Sequence, residues 1–174
     1  LRKYRLEYGS GPWSLKLGDI YEVWGRGLVL AQLDDQGIDF DNSSRGYLLN
    51  YTLENISVTQ MSGRTKNAQL GSDLRYPEFE FTHDMDATNI EFDVYPFNFG
   101  LSFLQSNELH QLKPFGVMDT VDVNHRLHGG YISWFGSIAD IFVEYVDKQS
   151  KLRTYETNFS GDEVESLSPL KKGS

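Results

Sequence analysis

The stretch NIEFDVYPFNFGLSF, residues 89–103, decides the fold class. Apolar and polar residues alternate strictly on either side of the Tyr95-Pro96 step. Ile90, Phe92 and Val94 share one face of the first arm, and Phe97, Phe99, Leu101 and Phe103 share one face of the second. The other face carries Glu91 and Asp93, then Asn98, Gly100 and Ser102. Two arms of period two around a short turn form a β-hairpin with one greasy and one polar side. The question is whether the greasy side meets a protein core or lipid.

The same alternation runs through the rest of the chain. Strands are expected at 2–8, 13–24, 45–53, 56–63, 87–94, 97–105, 123–134 and 138–147. No stretch has a sustained helical period, so the class is all-β, an antiparallel up-and-down meander of about eight strands. The connections sort by length. Turns at 9–12, 54–55, 95–96 and 135–137 are short, whereas 25–44, 64–86, 106–122 and the tail from 148 are long. A transmembrane β-barrel has this asymmetry, with short turns on one side and long loops on the other. A soluble sandwich has no reason to sort its loops by parity. The expected organisation is a single barrel domain, or barrel segment, over 1–174, with 148–174 a polar loop or tail.

Face composition agrees. The expected lipid-facing set is Tyr47, Leu49, Tyr51, Phe92, Phe99, Leu101, Ile141 and Val143. The expected lumen-lining set is Arg5, Glu7, Lys16, Glu22, Asn50, Glu91, Asp93, Asn98, Arg126, Asp140 and Glu144. Aromatics gather beside the short turns (Tyr8, Trp13, Tyr95, Phe97, Trp134, Phe135), as in a membrane-interface girdle. Asp19 falls on the apolar register between Leu17 and Tyr21, and a bulge at Gly18 would turn it inward.

Composition limits the alternatives. The 174 residues carry a net charge of −9, which disfavours nucleic acid and anionic surfaces as partners. There is no cysteine, so disulfides and thiolate metal sites are excluded. No apolar run reaches the length of a membrane helix.

The segment LKLGDIYEVWGRGLVLAQLDDQGIDFDNSSRGYLLNYT resembles a family of uncharacterised outer-membrane β-barrel proteins of Bacteroidetes-type bacteria. The likeness rests on GDIYEVWGRGL, where a Gly-Asp-aromatic strand end runs into a Gly-x-Gly-Leu step, and on FDNSSRGYLLNY, an Asp-Asn-Ser loop leading into a strand. GGYISWFGSIADIFVEYVDK is similar to that family's Gly-rich hairpin. The resemblance implies location and architecture, not chemistry. Because the chain opens within a strand and closes on a polar segment, a piece of a larger barrel is expected.

Catalytic patterns are weak. His125 and His128, three apart on a strand, point to opposite faces and make a poor metal pair. HDMD (83–86) lies in an expected long loop with Glu78 and Glu80, and Asp34, Asp35, Asp39 and Asp41 crowd another. Neither spacing matches a Ca²⁺ loop, and a solvated acidic loop explains both. There is no Gly-x-Ser-x-Gly elbow. Glu91 and Asp93 suit a polar lumen better than a glycosidase pair. In WGRG, Gly25 and Gly27 end a strand and start a loop; alternatively, Arg26 turns inward to pair with Glu22.

The expected function is a non-enzymatic outer-membrane barrel, porin-like or serving surface assembly, in the bacterial outer membrane. No catalytic, cofactor or metal residues are expected. The expected partners are outer-membrane lipid, polar solutes and other envelope proteins. The alternative is a soluble secreted β-sandwich or jelly roll that binds or hydrolyses carbohydrate.

Overall fold

A computed structural model describes residues 3–35, 40–69, 79–112, 119–157 and 163–169. Nine strands form one sheet: β1 (Arg5–Ser10), β2 (Trp13–Ile20), β5 (Ser44–Leu53), β6 (Ile56–Gln69), β7 (Phe79–Val94), β8 (Phe97–Leu112), β9 (Asp119–Phe135), β10 (Asp140–Thr157) and β11 (Glu163–Pro169). Each pairs antiparallel with its neighbour in chain order. A separate two-stranded ribbon joins β3 (Asp34–Asp35) to β4 (Phe40–Asp41). No helix and no second sheet stacked on the first occurs among the described residues. The architecture is the expected all-β meander, not a two-layer sandwich.

Three expectations about boundaries need correcting. Residues 64–69 and 79–86 continue β6 and β7 instead of forming a loop, and 106–112 and 119–122 likewise extend β8 and β9. The described residues of the 148–174 tail are strand, because β10 runs to Thr157 and β11 follows. Beyond residues 64 and 106 the sequence turns polar on both faces. The alternation signal fades there, while backbone pairing with the neighbouring strand carries on. Third, β2 stops at Ile20, four residues early, and the chain after it turns inward.

Register fixes two faces. Leu48, Met61, Ala87, Leu104 and Leu127 are direct cross-strand partners in succession and so share one face. The stretch 20–33 lies on that face, and Ile20, Trp24, Val29 and Leu30 complete a core with Leu48, Met61, Met85, Ala87 and Leu104. Met61 is fully buried. Burying a side chain of this size stabilises by about 1.5–3 kcal/mol.

The sheet curls around this insertion. In strand order β2 and β10 are six spacings apart, or about 29 Å in a flat sheet. Yet Lys16 on β2 reaches Glu22, and the Arg26 N–H reaches Glu144 on β10. Glu22 to Arg26 spans at most ~14 Å extended, and here the chain also turns back, with the Gly27 N–H donating to the Trp24 carbonyl.

The opposite face is open. Ile90, Phe92, Phe99, Leu101 and Phe103 stand on it with Leu49, Tyr51, Ile132, Ile141 and Val143. Phe99, Leu101 and Phe103 are 37%, 47% and 45% exposed. At the short-turn rim Tyr8, Trp13, Tyr95, Phe97 and Phe135 are exposed too.

Candidate functional site on the covered face

Residues 21–24 were expected to continue β2, and the stretch after them, 25–44, to emerge as a loop. Residues 21–33 instead fold back as a narrow hairpin over the covered face. Val23 bridges Ala31, the Trp24 N–H donates to the Leu30 carbonyl, and the Gln32 N–H donates to the Glu22 carbonyl. Gly25 and Gly27 form the tip at φ +60° and +90°, a left-handed conformation that suits glycine. Apolar Trp24, Val29 and Leu30 drive the insertion; Val29 packs so closely on β9 that a Cβ on Gly129 would lie 2.3 Å from it.

Polar side chains hold the tip. The Arg26 N–H donates to Glu144 Oε2 at 3.0 Å, and the Arg26 guanidinium lies 4.5 Å from the centre of the Phe142 ring. Phe142 stacks on Tyr131, whose hydroxyl donates to Glu91 Oε1 at 2.8 Å. Arg26, Phe142, Tyr131 and Glu91, with Asn98 and Asp140, line a cleft of about 410 Å³ near the short turns. Glu91 and Asp140 in this lining face Arg26 as its one basic residue among the described residues, and Glu144 accepts from the Arg26 N–H beside it, so the cleft has a negative field. Asp93 accepts a hydrogen bond from Asn98.

The base of the insertion is tied by a buried chain of hydrogen bonds. Gln32 Nε2 donates to Ser44 Oγ at 2.6 Å, and Ser44 Oγ shares a 2.9 Å bond with Thr65. Between its returning arm and β6–β10 lies a cavity of about 210 Å³. Its wall carries His83, Glu108 and His125, whose Nε2 atoms stand 4.0 and 3.7 Å from Glu108 Oε1. Gln32 Oε1 and His83 Nε2 are buried without a hydrogen-bond partner. Burial pushes the His83 imidazole below its ordinary value, and the opposing pull of Glu108 is weaker.

The register places Arg5, Glu7, Lys16, Asn50, Glu91, Asp93, Asn98, Asp140 and Glu144 on the covered face. Glu22 sits in the insertion and pairs with Lys16 at 2.6 Å, so the Arg26–Glu22 alternative is wrong. Arg126 is a correction. It is the direct partner of Gln105 and shares the open face with Phe103 and Leu101; the expected parity slipped in the polar, Gly-containing run 124–130. Tyr47, Leu49, Tyr51, Phe92, Phe99, Leu101, Ile141 and Val143 all lie on the open face.

The covered face is not uniformly wet, as its polar sequence suggested. Ser102 and Asn89 are buried and bonded to each other at 2.8 Å, beside the apolar core. Asp19 needs no inserted residue. Its pairing stays in step opposite Arg45, and its carboxylate accepts from the Arg45 guanidinium and the Tyr4 N–H. His125 and His128 do point to opposite faces, His125 bonding Ser150 and His128 packing on Phe103. HDMD belongs to β7. Asp34 and Asp41 share Lys3 at 2.9 and 2.8 Å. Glu78 and Asp39 lie outside the described residues, and the side chains of Glu80 and Asp35 lie outside them too. Among the described residues no three His, Cys, Asp or Glu side chains are placed to hold a metal ion.

Sequence reasoning missed the insertion and the His83–Glu108–His125 grouping. The first left a readable signal, the apolar run Leu28–Leu30 beside Trp24 in a supposed surface loop. The second depends on cross-strand register between residues far apart in sequence, which leaves no local mark.

No curated protein and no solved structure matches the chain. A family model described as a family of unknown function (DUF6029) matches residues 1–168. The chain belongs to the DUF6029 family.

Proposed function

We propose that this chain is a wall segment of a bacterial outer-membrane β-barrel, porin-like and non-catalytic, with residues 21–33 folded into the space the wall encloses. The observation that carries this reading is the open face. Its apolar side chains run from β2 to β10 in register and remain exposed, while serines and asparagines on the other face are buried. Monomeric soluble proteins rarely expose a continuous apolar surface of this size. Lipid removes the cost. From Phe97 to Phe103 the band covers seven residues, ~23 Å along the strand, and the aromatic rim at the short turns extends it toward the ~25 Å apolar band of such barrels. Its other edge is the polar row Asp86, Gln105 and Arg126.

The covered face supports passage or retention of polar solutes, with a preference for cations set by Glu91, Asp93, Asp140 and Glu144. The insertion narrows that space, so an unobstructed general pore is not expected. The protein should sediment with outer membranes and resist extraction by salt or alkali, and it should need detergent to remain monodisperse. Recovery as a monodisperse species in aqueous buffer would reject this function.

A further inference from the structure

We propose that His83, Glu108 and His125 form an acid-sensitive latch that controls how firmly the returning arm of the insertion, Val29–Gln32, is seated on the sheet. The geometry brings the parts together from four elements. His83 comes from β7, Glu108 from β8 and His125 from β9, and they face Val29, Leu30 and Gln32 across the 210 Å³ cavity. Lys148 on β10 lies at the same cavity, and among the described side chains β6 contributes only the uncharged Thr65 there. Asp84 is the neighbour of His83 on the other face.

At neutral pH the cluster suits a closed arm. A neutral His83 leaves one ring nitrogen buried and unpartnered, a tolerable state for an imidazole and a poor one for an imidazolium. Adding a proton places a charge in a small cavity beside Lys148 and a second imidazole. Glu108 and Asp84 attract that charge, but burial is the largest single influence and the net balance disfavours the proton. Water enters if the arm lifts, so the charged form favours the lifted arm. The sign follows: His83 binds its proton more weakly with the arm seated. Seating is thus complete above the ordinary imidazole value of ~6.5 and weakens as pH falls below it.

The latch does not depend on the membrane reading; only its consequence, a wider polar path in acid, rests on that reading. The chain has no cysteine, so single thiols report cleanly. Val29→Cys buries a thiol under the arm, and Leu28→Cys places one in an exposed position. Each protein, purified in detergent, is labelled with a charged methanethiosulfonate at about pH 7.5 and about pH 5.5. The ratio of the two labelling rates cancels the effect of pH on the thiol itself. The ratio should rise several-fold in acid and stay flat when His83→Gln is added. His83→Asn serves as a second neutral replacement should the glutamine variant fail to fold. A ratio that does not change with pH, or one that rises equally in both His83 variants, overturns the latch. Fractionation into membranes, measured separately, leaves this outcome untouched.

Discussion

The two faces of the sheet invert the usual distribution of a soluble protein. On the open face Phe99, Leu101 and Phe103 are exposed, whereas on the covered face Ser44, Asn89 and Ser102 are almost wholly buried. These three are hydrogen-bonded: Ser44 to Gln32 and Thr65, Asn89 to Ser102 and Glu91. On the proposed reading the two faces answer to different solvents. The covered face brings its own partner, residues 20–33, which converts a strip of polar strands into a packed core. The open face has no partner within the described residues, and the proposed barrel gives it a lipid one.

Substitutions at the centre of the covered core should have the largest effect. Met61→Ala removes a fully buried side chain and should cost about 2–5 kcal/mol, as large-to-small core changes do. Urea unfolding of lipid-reconstituted protein reads this directly. A loss below about 1 kcal/mol would mean the insertion does not pack as a core.

The open face comes next. Leu101→Arg should destabilise by about 2–4 kcal/mol near a bilayer midplane. Asn98→Arg, three residues earlier on the other face at the cleft, should cost much less. Ser102, though polar, is the wrong control because it is buried against Asn89. Similar penalties at 98 and 101 in vesicle-folding titrations would erase the distinction between the faces.

These two regions were legible to different degrees. The open face was readable because alternation in 89–103 is strict and a strand's period is two. Eight strands and their short turns followed from it. Polar residues on the other face suggested bulk water. That inference failed because Leu48, Met61, Ala87 and Leu104 are scattered one per strand and gather only through register. The insertion failed for a similar reason: WGRGLVLAQL carries no period, and its partners lie on strands far along the chain. Arg126 was misplaced where glycines and histidines blur the alternation.

A smaller effect is expected at Asp19, which joins the edge of the sheet to its interior. Asp19→Asn keeps the shape but weakens the bonds from Arg45 and from the Tyr4 N–H, and should cost about 1–3 kcal/mol. A neutral result in the same urea series would show that the β1–β2 edge is not held from this residue.

The smallest effect belongs to the exposed Arg64–Asp84 pair, which sits beyond the apolar band. Arg64 holds the Asp84 carboxyl below its usual range. Its contribution is therefore present above the unfolded carboxylate value of ~3.9 and is lost as pH falls through the lower folded value. Stability curves of the protein and of Arg64→Ala should lie close together at neutral pH and converge in acid. A gap that widens in acid would contradict the assignment.

The most direct measurement is a spin-label scan of residues 97–103, one cysteine at a time, in protein folded into lipid vesicles. Positions 97, 99, 101 and 103 should be open to oxygen, which dissolves in lipid, and closed to a water-soluble nickel complex. Positions 98, 100 and 102 should show low oxygen access, with the nickel complex reaching 98 at the cleft. Nickel access at 99, 101 and 103, or no alternation at all, would contradict a lipid-facing open face.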